Sequence, residues 1–413
     1  MTSAPPRRVL FVEASSGGVV GGSLTGLYHL IRGLDRTRFS PAMVLYEPKS
    51  IEADLKALDV PVYHLRRYRM AKEHALLNYD GYHQAKQSRE VRSLLRLGRQ
   101  TLRLAVEELP AAVRLARLIR KSRADVVHLG NGMRANFDAL LACRLTRTPV
   151  VCHVKGFEKY ARRERCAARH VDAMVSMTHA VQDHCAAHGV VARCNQVIYD
   201  AVDENEFQPR RSAEDVRAEF GLSVATPCFG IVGNIQEWKG QAVVVEATAH
   251  VRTRVPQAVC LIVGGAHRAG AEYERALHRR VQELGLASAI RFVGFRTDVP
   301  DLMNALDVIV HASIRGEPFG RVILEGMLLR KSVIAAAAGG VPELIRDGET
   351  GYLVAPGDSA VLADRLVSLL GDPQLRADIG ARAQAWAREQ FSLAQHVSMM
   401  TKLYERLTRH PSD

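Results

Sequence analysis

The alternation of short apolar runs with amphipathic stretches constrains this chain more than any other feature, and it occurs as two separate series. The first series opens with an apolar run at residues 8–13, a glycine-rich loop at 14–23 and an amphipathic stretch at 24–34. A strand, a glycine loop and a helix in this order form the opening unit of a doubly wound parallel sheet. The second series starts at 228–233, after an acidic, irregular stretch at 200–209. The pattern therefore predicts two α/β domains joined by a short linker.

Each series continues in the same way, which predicts parallel sheets with right-handed crossovers. Further strands are expected at 41–46, 60–64, 125–129, 149–155 and 172–177, and then at 259–264, 291–293, 308–311, 332–335 and 352–354. We assign residues 1–205 to an N-terminal domain, 206–391 to a C-terminal domain and 392–413 to a helix that returns to the first domain. Two doubly wound domains are expected to bind a ligand between the carboxyl ends of their sheets.

The chain of 413 residues is long enough for two hydrophobic cores. Its longest apolar runs, at 9–12 and 333–338, are far shorter than the roughly 20 residues of a membrane-spanning helix, so we expect no such helix. The first residues also lack the apolar core of about 7–15 residues that a secretory signal has. Seven cysteines are scattered without a CxxC pair. We therefore expect reduced thiols in the cytoplasm, rather than a disulfide framework or a zinc knuckle.

Positive charge is concentrated in one segment. The chain has a formal net charge of +12, and residues 61–125 contain 15 Lys and Arg against 6 Asp and Glu. In this basic insert, at about 66–123, one side of a predicted helix is apolar and the other is arginine-rich: Val91, Leu94, Leu95, Leu102, Ala105, Val106 and Leu109 against Arg89, Arg92, Arg96, Arg99 and Arg103. Such a helix either lies on an anionic membrane surface or packs on its own domain, and both alternatives stay open. A nucleic-acid partner is disfavoured because aromatic residues thin out after Tyr82 and no known module occurs.

The stretch 313–326, SIRGEPFGRVILEG, is the most informative for function. Glu317 lies in the loop after a predicted strand, and Gly320 opens the next helix. The free first-turn amides of a helix and its positive dipole end favour a phosphate. Glu325 lies about one turn inside the helix, where a carboxylate can accept two ribose hydroxyls. We interpret Glu317 as the acceptor of hydrogen bonds from a sugar attached to that phosphate.

Two further segments follow predicted strands of the same sheet. Lys239, at the end of GNIQEWKG (233–240), precedes a helix, and its ammonium can neutralise a diphosphate. Gly339 and Gly340, in AGGVPE (338–343), let backbone N–H groups approach phosphate oxygens. Because each segment lies at the carboxyl end of a strand, we expect all three to converge on one ligand.

The order GNIQEWKG, EPFGRVILEGM and AAAAGGVPELIRDGETGYLV resembles the retaining glycosyltransferases of family 4, which have the GT-B fold of two Rossmann-like domains facing each other across a cleft. The resemblance is specific across residues 197–391 and diffuse across 1–196. It implies a hexosyltransferase that moves a sugar from a nucleoside diphosphate sugar to an acceptor hydroxyl with retention of configuration, in cell-surface polysaccharide or glycolipid synthesis. The rival expectations are a GT-B epimerase or phosphorylase and, in another class, a non-catalytic, membrane-docked scaffold that binds nucleotide sugars.

The resemblance also implies roles for individual residues. Lys239 would bind the diphosphate, Glu317 the sugar and Glu325 the ribose. The other expected site residues are Asn234, Phe319, Gly320, Gly339 and Gly340 for the donor, and Gly21 and Gly22 for the donor phosphate or the acceptor. The family needs no metal or other cofactor, because lysine and helix ends supply the positive charge. Many relatives act on lipid-linked acceptors, so residues 89–123 are expected to hold the enzyme on the cytoplasmic face of the inner membrane.

Two departures from the family pattern concern the site. The family often has arginine where this chain has Asn234, so one cation on the diphosphate is missing. The family histidine at the end of the strand near 149–156 is replaced by Lys155, and His153 lies two residues earlier. Since residues two apart share a face of a strand, His153 and Lys155 can both face the cleft, and either one can substitute. His128, at the end of another predicted strand, is a third candidate.

Overall fold

The computed structural model describes residues 5–14, 22–67, 98, 101–266 and 270–408. The chain divides into two compact units. The first comprises Met1–Ser176, Gln182–Val197 and Val397–Asp413, and the second comprises Met177–Val181 and Ile198–His396. The limits at residues 205 and 391 stay predictions for the ends of the independently folding domains.

The first unit contains a seven-stranded parallel sheet in the order β3-β2-β1-β4-β5-β6-β7. Its strands are β1 Arg7–Glu13, β2 Phe39–Leu45, β3 Val62–His64, β4 Val126–Leu129, β5 Val150–Val154, β6 Ala173–Ser176 and β7 Cys194–Val197. β1 pairs in parallel with both β2 and β4. The strand order reverses between β1 and β4, and doubly wound sheets bind their ligands at such switch points.

The central strands of this sheet are almost continuously apolar because helices cover both faces. Val9, Leu10, Phe11 and Val12 are all buried. The helices that contribute to this unit are Gly22–Gly33, Glu52–Ala57, Leu109–Ser122, Gly132–Ala135, Phe137–Thr146, Arg162–Ala168 and His179–Ala187, and a π-helical turn at Leu104–Glu108 leads into Leu109–Ser122. Pro110 lies at the start of Leu109–Ser122, directly after the π-helical turn.

The second unit contains a six-stranded parallel sheet in the order β10-β9-β8-β11-β12-β13. Its strands are β8 Cys228–Val232, β9 Val259–Val263, β10 Ile290–Gly294, β11 Val308–His311, β12 Ser332–Ala336 and β13 Tyr352–Val354. The switch point lies between β8 and β11, which pair in parallel. Both units are thus doubly wound α/β sheets, which confirms the fold class expected from the sequence.

The helices of the second unit are Ala213–Glu219, Gln241–Arg254, Ala271–Glu283, Val299–Ala305, Arg321–Leu328, Val341–Leu344, Ser359–Gly371 and Pro373–Gln390, with a 3-10 turn at Glu237–Lys239. Local sequence sets two of these starts. The side chains of Asp358 and Asp372 accept hydrogen bonds from backbone amides three residues on, at 3.0 and 2.9 Å. Such caps satisfy amides that have no partner inside the helix.

The C-terminal helix Leu393–Thr408 has its residues from Val397 onward in the first unit. Tyr404 is fully buried there, and its hydroxyl lies 2.7 Å from Nδ1 of His128. The Tyr404 ring also contacts Phe11 and Phe39, with ring centroids 6.4 and 6.1 Å apart. This helix therefore completes the core of the first unit.

None of the helices in the described part of the chain combines the length and the apolar composition that spanning a membrane requires.

Replacing Tyr404 should unfold the first unit selectively. Tyr404→Ala removes a buried ring and should lower the free energy of unfolding of this unit by about 3–5 kcal/mol. Tyr404→Phe removes only the hydrogen bond to His128 and should cost about 1 kcal/mol. Urea unfolding followed by hydrogen exchange measures both effects. Exchange in β1 and β4 reports on the first unit, and exchange in β8 and β11 is the control. Equal losses in the two variants would contradict the packing role of the ring.

Candidate functional site

Three loops of the second unit meet at the carboxyl ends of β8, β11 and β12. The amide of Ile314 donates to the carbonyl of Trp238 at 2.8 Å, which joins the loop after β11 to the loop after β8. The amide of Gly340 donates to the carbonyl of Glu317 at 2.8 Å, which joins the loop after β12 to the loop after β11. The three predicted segments are therefore brought together by backbone hydrogen bonds.

Two glycines make this close approach possible. Gly240 has φ +75°, and a Cβ atom there would lie 1.9 Å from the carbonyl oxygen of Ala312. Gly339 has φ +69°, and a Cβ atom there would lie 2.3 Å from the carbonyl oxygen of Glu317. Only glycine tolerates both the left-handed backbone and the contact. These positions therefore fix the mutual placement of the loops before any ligand binds.

Lys239 and Glu317 form an ion pair where the loops meet. Nζ of Lys239 lies 2.5 Å from Oε2 of Glu317, and their side chains are 23% and 13% exposed. Lys239 also lies over the ring of Trp238, with Nζ 4.1 Å from the ring centroid, a cation–π contact that limits where the ammonium can move. The two groups predicted to bind a diphosphate and a sugar are therefore direct neighbours.

The same carboxylate oxygen has two further partners. Nε2 of His311 and Oγ of Ser313 each lie 3.3 Å from Oε2 of Glu317, and they lie 3.0 Å from each other. None of the described residues hydrogen-bonds to Oε1. One oxygen of Glu317 is thus held by three groups, and the other can accept hydrogen bonds from a ligand.

The protonation state of Glu317 follows from these contacts. Burial opposes ionisation, but the hydrogen bond from His311 and the charge of Lys239 outweigh it and lower the pKa of Glu317 to about 2. Opposite charges and hydrogen bonds to the charged form both favour ionisation. Glu317 is therefore a carboxylate at neutral pH, which makes it a hydrogen-bond acceptor and a weak base.

The helix Arg321–Leu328 presents the other predicted donor residues. Gly320, at φ +97°, precedes its first turn and has no side chain to cap the amides there. Oε1 of Glu325 lies 3.4 Å from the Arg321 guanidinium. Burial raises the pKa of Glu325, and the Arg321 charge partly opposes this. The Phe319 side chain is buried against the ring of Phe391, so only its backbone can serve a ligand.

Asn234 follows β8 and is exposed. Its carbonyl oxygen accepts a hydrogen bond from the side-chain amide of Gln241 at 3.0 Å. Where the family often has a cation, this chain therefore has a neutral side chain on the surface of the second unit. The role of Asn234 at the donor diphosphate stays a prediction.

The predicted site residues of the first unit differ in burial and in position. Gly21 lies outside the described residues, and Gly22 begins the first helix. His128 and His153 are almost fully buried on β4 and β5, with ring centroids 5.5 Å apart. Lys155 follows the end of β5 and is half-buried. The burial of His128 connects it to the packing of Tyr404, and the roles of all three side chains at an acceptor site stay predictions.

Glu158 is a titratable group that the sequence did not single out. It follows β5, and its carboxylate occupies the space beside Gly132, where a Cβ atom would lie 1.7 Å from Oε1. Burial raises the pKa of Glu158 to about 7, although a backbone hydrogen bond from Arg134 and the Arg134 charge act in the opposite direction. This carboxyl group therefore titrates near neutral pH in the first unit.

Other contacts in the second unit were also missed. Thr178 donates to the carbonyl of Pro318 at 2.9 Å. The carboxylate of Glu343 accepts hydrogen bonds from the amides of His179 and Ala180 at 2.8 and 2.9 Å. Both contacts brace the loops that carry Glu317 and Gly340. The sequence gives one indication of these contacts, which is that Glu343 follows the glycine pair. It gives no indication of the partner residues, because these lie more than 130 residues away in the chain.

Profiles of two protein families match the chain and together account for most of it. The family described as "Glycosyl transferases group 1" matches residues 212–386. The family described as "Glycosyl transferase 4-like domain" matches residues 21–199. The first match contains the site built on Lys239 and Glu317, and the second lies on the other doubly wound unit.

Curated relatives are similar over about half of the chain. A lipopolysaccharide core biosynthesis mannosyltransferase of Rhizobium meliloti is 30% identical over 217 residues, which are 52% of this chain and 62% of that protein. An N-acetyl-alpha-D-glucosaminyl L-malate synthase of Bacillus anthracis is 31% identical over 214 residues, 52% of this chain and 54% of that protein. The chain therefore spans little more than half the length of these relatives.

Solved structures resemble the whole chain. A crystal structure of Anabaena HepE in complex with UDP has a TM-score of 0.78 and 25% identity, and the match covers 97% of this chain and 100% of that one. A glycosyltransferase of Rickettsia africae has a TM-score of 0.80 at 21% identity, covering 98% and 100%, and it shows the shared fold. The two doubly wound units match the GT-B fold of such glycosyltransferase structures. The chain belongs to glycosyltransferase family 4, as its motifs indicate.

The raised pKa of Glu158 predicts a specific pH dependence of stability. An acid whose pKa is raised on folding binds more protons in the folded state, so stability falls as pH rises from about 4.5 to about 7. Relative to Glu158→Gln, the wild type should lose up to about 3 kcal/mol of unfolding free energy between pH 5 and pH 8. Urea unfolding of both proteins at the two pH values measures this difference. A difference that does not change with pH would contradict the assigned environment of Glu158.

Proposed function

We propose that this protein transfers a sugar from a nucleoside diphosphate sugar to an acceptor hydroxyl, with retention of the anomeric configuration. The observation that carries the proposal is the ion pair of Lys239 and Glu317 at the meeting point of three loops. An ammonium next to a carboxylate with one available oxygen offers complementary groups to a diphosphate and to a sugar hydroxyl. The HepE structure contains UDP, which supports a nucleoside diphosphate as the ligand.

In this proposal the donor replaces one partner of the ion pair. The Lys239 ammonium is compact and stands on a flexible four-carbon stem, so it can exchange Glu317 for a phosphate oxygen while it stays over the Trp238 ring. Oε1 of Glu317 accepts hydrogen bonds from the sugar, and Glu325 accepts them from the ribose. Backbone amides at Phe319, Gly320 and Gly339 complete the phosphate site, while Asn234 borders it. The expected contribution of the Gly340 amide is corrected, because that N–H already donates to the carbonyl of Glu317.

The enzyme acts on the transition state by positioning and by charge stabilisation. Retaining glycosidases use two carboxylates, one of which attacks the sugar. Glu317 suits that role poorly, because its pKa of about 2 and its ion pair make it a weak nucleophile. We infer a front-face route in which the bond to the diphosphate breaks, the acceptor oxygen attacks from the same side, and the leaving diphosphate takes the acceptor proton. Lys239 and the amides stabilise the departing charge.

We also propose that this transfer needs neither a metal ion nor another cofactor. The support is the Lys239 ammonium together with the helix start at Gly320, which supply the positive charge that a cation supplies in other enzymes. Full activity in excess chelator is the expected result. A requirement for added divalent cation would contradict this part of the proposal.

The acceptor is proposed to belong to a cell-surface polysaccharide or glycolipid, made at the cytoplasmic face of the inner membrane. The support is the name of the Rhizobium meliloti relative, a lipopolysaccharide core mannosyltransferase. We assign acceptor binding to the first unit, where Gly22 begins the first helix and Lys155 follows β5. The sugar, the nucleobase and the linkage are outcomes of the assay below.

An exposed apolar stripe supports membrane association as an additional function. Leu102, Val106, Leu109 and Val113 are 48%, 38%, 43% and 41% exposed. Their steps of four, three and four residues keep them on one side of the helical segment. Exposed basic residues accompany them: Arg103, Arg114, Arg117, Arg120 and Lys121. Apolar side chains next to arginines are the composition that binds anionic lipid surfaces, so we propose that this stripe inserts into such a surface. Arg89, Arg92 and Arg96 lie outside the described residues.

Removal of either member of the ion pair should abolish transfer while the protein stays folded. Glu317→Gln and Lys239→Met should each lower kcat/KM at least about 100-fold, because each removes a charge-assisted contact to the donor in the transition state. The assay measures nucleoside diphosphate release and glycoside formation from UDP-, GDP- and ADP-hexoses in excess chelator. NMR of the product gives the anomeric configuration, and inversion would contradict the retaining route.

Matched controls are Glu389→Gln and Lys402→Met, which neutralise exposed charges elsewhere and should keep wild-type activity. Full activity in Glu317→Gln or Lys239→Met would refute the site. Epimerisation of the donor without glycoside formation would favour an epimerase, and phosphate-dependent release of sugar phosphate would favour a phosphorylase. Donor binding with no turnover toward any acceptor would favour a non-catalytic scaffold.

Serine at all four positions of the stripe should weaken lipid binding. The quadruple variant Leu102→Ser, Val106→Ser, Leu109→Ser and Val113→Ser should reduce co-sedimentation with phosphatidylglycerol vesicles at least about tenfold, because the inserted apolar area is lost. Val224→Ser, which changes an exposed valine of the second unit, is the control and should bind as the wild type does. Equal binding of wild type and quadruple variant, or equal binding to anionic and neutral vesicles, would contradict the proposal.

A further inference from the structure

A small cavity lies next to the Lys239–Glu317 pair. It leaves about 10 Å³ for the centre of a water-sized sphere. Residues that line it and matter here are Gly233, Lys239, Gln241, His311, Ser313 and Val322. A space of this size holds one water molecule when polar groups surround it. The cavity is therefore too small for a sugar or a nucleotide, but it can hold a single water molecule.

Two buried polar atoms belong to residues that line this cavity. Gln241 is fully buried and His311 is 3% exposed. The side-chain amide nitrogen of Gln241 donates to the carbonyl of Asn234. Oε1 of Gln241 and Nδ1 of His311 have no hydrogen-bond partner among the described residues. Buried polar atoms are rarely left in this condition, because the loss of hydration is not compensated.

The contacts of the other ring nitrogen define the tautomer of His311. Nε2 faces Oε2 of Glu317, which is ionised and can only accept a hydrogen bond. Nε2 therefore carries hydrogen, and in the neutral ring Nδ1 has a lone pair. Two acceptors, Nδ1 of His311 and Oε1 of Gln241, then belong to residues that line one cavity. A water molecule has two donors and matches both.

We propose that His311 is a positioning residue for Glu317, and that a buried water molecule shared with Gln241 holds the imidazole in the tautomer that donates from Nε2. This inference rests on the proposed function, because it concerns the carboxylate that we assign to the sugar. In this inference His311 has a further role once the donor has bound. Once Lys239 turns to the diphosphate, Oε2 of Glu317 keeps two donors, His311 and Ser313. The carboxylate then stays oriented with Oε1 toward the sugar.

The pair His311→Gln and His311→Asn separates positioning from packing. The glutamine amide nitrogen reaches about as far as Nε2 of histidine, whereas the asparagine amide reaches only as far as Nδ1. His311→Gln should therefore keep the donor to Glu317, and His311→Asn should lose it. Both variants keep a polar side chain of similar size in the same buried position.

Calorimetric affinities for UDP, GDP and ADP and for the corresponding nucleoside diphosphate hexoses provide the readout. The affinity of His311→Asn for the nucleoside diphosphate should stay within about threefold of wild type. Its affinity for the nucleotide sugar should fall at least about tenfold, because the lost hydrogen bond orients the Glu317 carboxylate, which contacts only the sugar. His311→Gln should restore most of the difference. Equal losses for both ligands, or equal behaviour of the two variants, would overturn the proposal.

Two further measurements keep the test decisive if His311→Asn folds poorly. Nitrogen NMR of the wild-type imidazole should show the Nε2-protonated tautomer, and an Nδ1-protonated ring would overturn the proposal. Ser313→Ala leaves the ring in place and should lower affinity for the nucleotide sugar, but not for the nucleoside diphosphate, by a smaller factor. Failure of wild type to bind any of these ligands would instead refute the proposed function, whatever the tautomer.

Discussion

The ion pair between Lys239 and Glu317 is the interaction on which the rest of the site depends. An ammonium and a carboxylate 2.5 Å apart are stable at this half-buried place because each neutralises the other. Neighbouring donors also form hydrogen bonds to the carboxylate. The pair exists only because two loops of a parallel sheet end at the same edge, and Gly240 and Gly339 allow the backbones to approach closely. The fold thus prepares a charged pair that, in the proposed function, the donor divides between its phosphate and its sugar.

In the proposed reaction, this arrangement lets a site without a fixed base catalyse group transfer. Glu317 is kept ionised and oriented, and Lys239 is kept close to where negative charge develops, so little reorganisation is needed during the reaction. Thr178 and Glu343 act further out, since they hold the loops and not the ligand. The first unit has a different electrostatic character, with a carboxyl group, Glu158, that titrates near neutral pH.

The sequence predicted most of the fold because apolar runs and amphipathic stretches alternate within each of the two series. β11 and β13 agree with their predicted limits. The polar edge strand β7, CNQV, and the short helix Ala213–Glu219 were missed because neither has a clear apolar period. Lys239, Glu317 and Gly340 could be grouped because parallel strands share an edge. Gln241, His311 and Glu158 could not, since a polar residue that begins a helix or ends a strand gives no sign of which buried atom it faces. His128 and His153 show the reverse, with strand-end histidines that are buried in the core.

The most direct test of this account is a crystal structure with a bound nucleoside diphosphate sugar. The account predicts that Nζ of Lys239 lies within hydrogen-bond distance of a phosphate oxygen and no longer of Glu317. It also predicts that Oε1 of Glu317 accepts from a sugar hydroxyl while Oε2 stays on His311 and Ser313. An unbroken Lys239–Glu317 pair, with the diphosphate bound elsewhere on the chain, would contradict it.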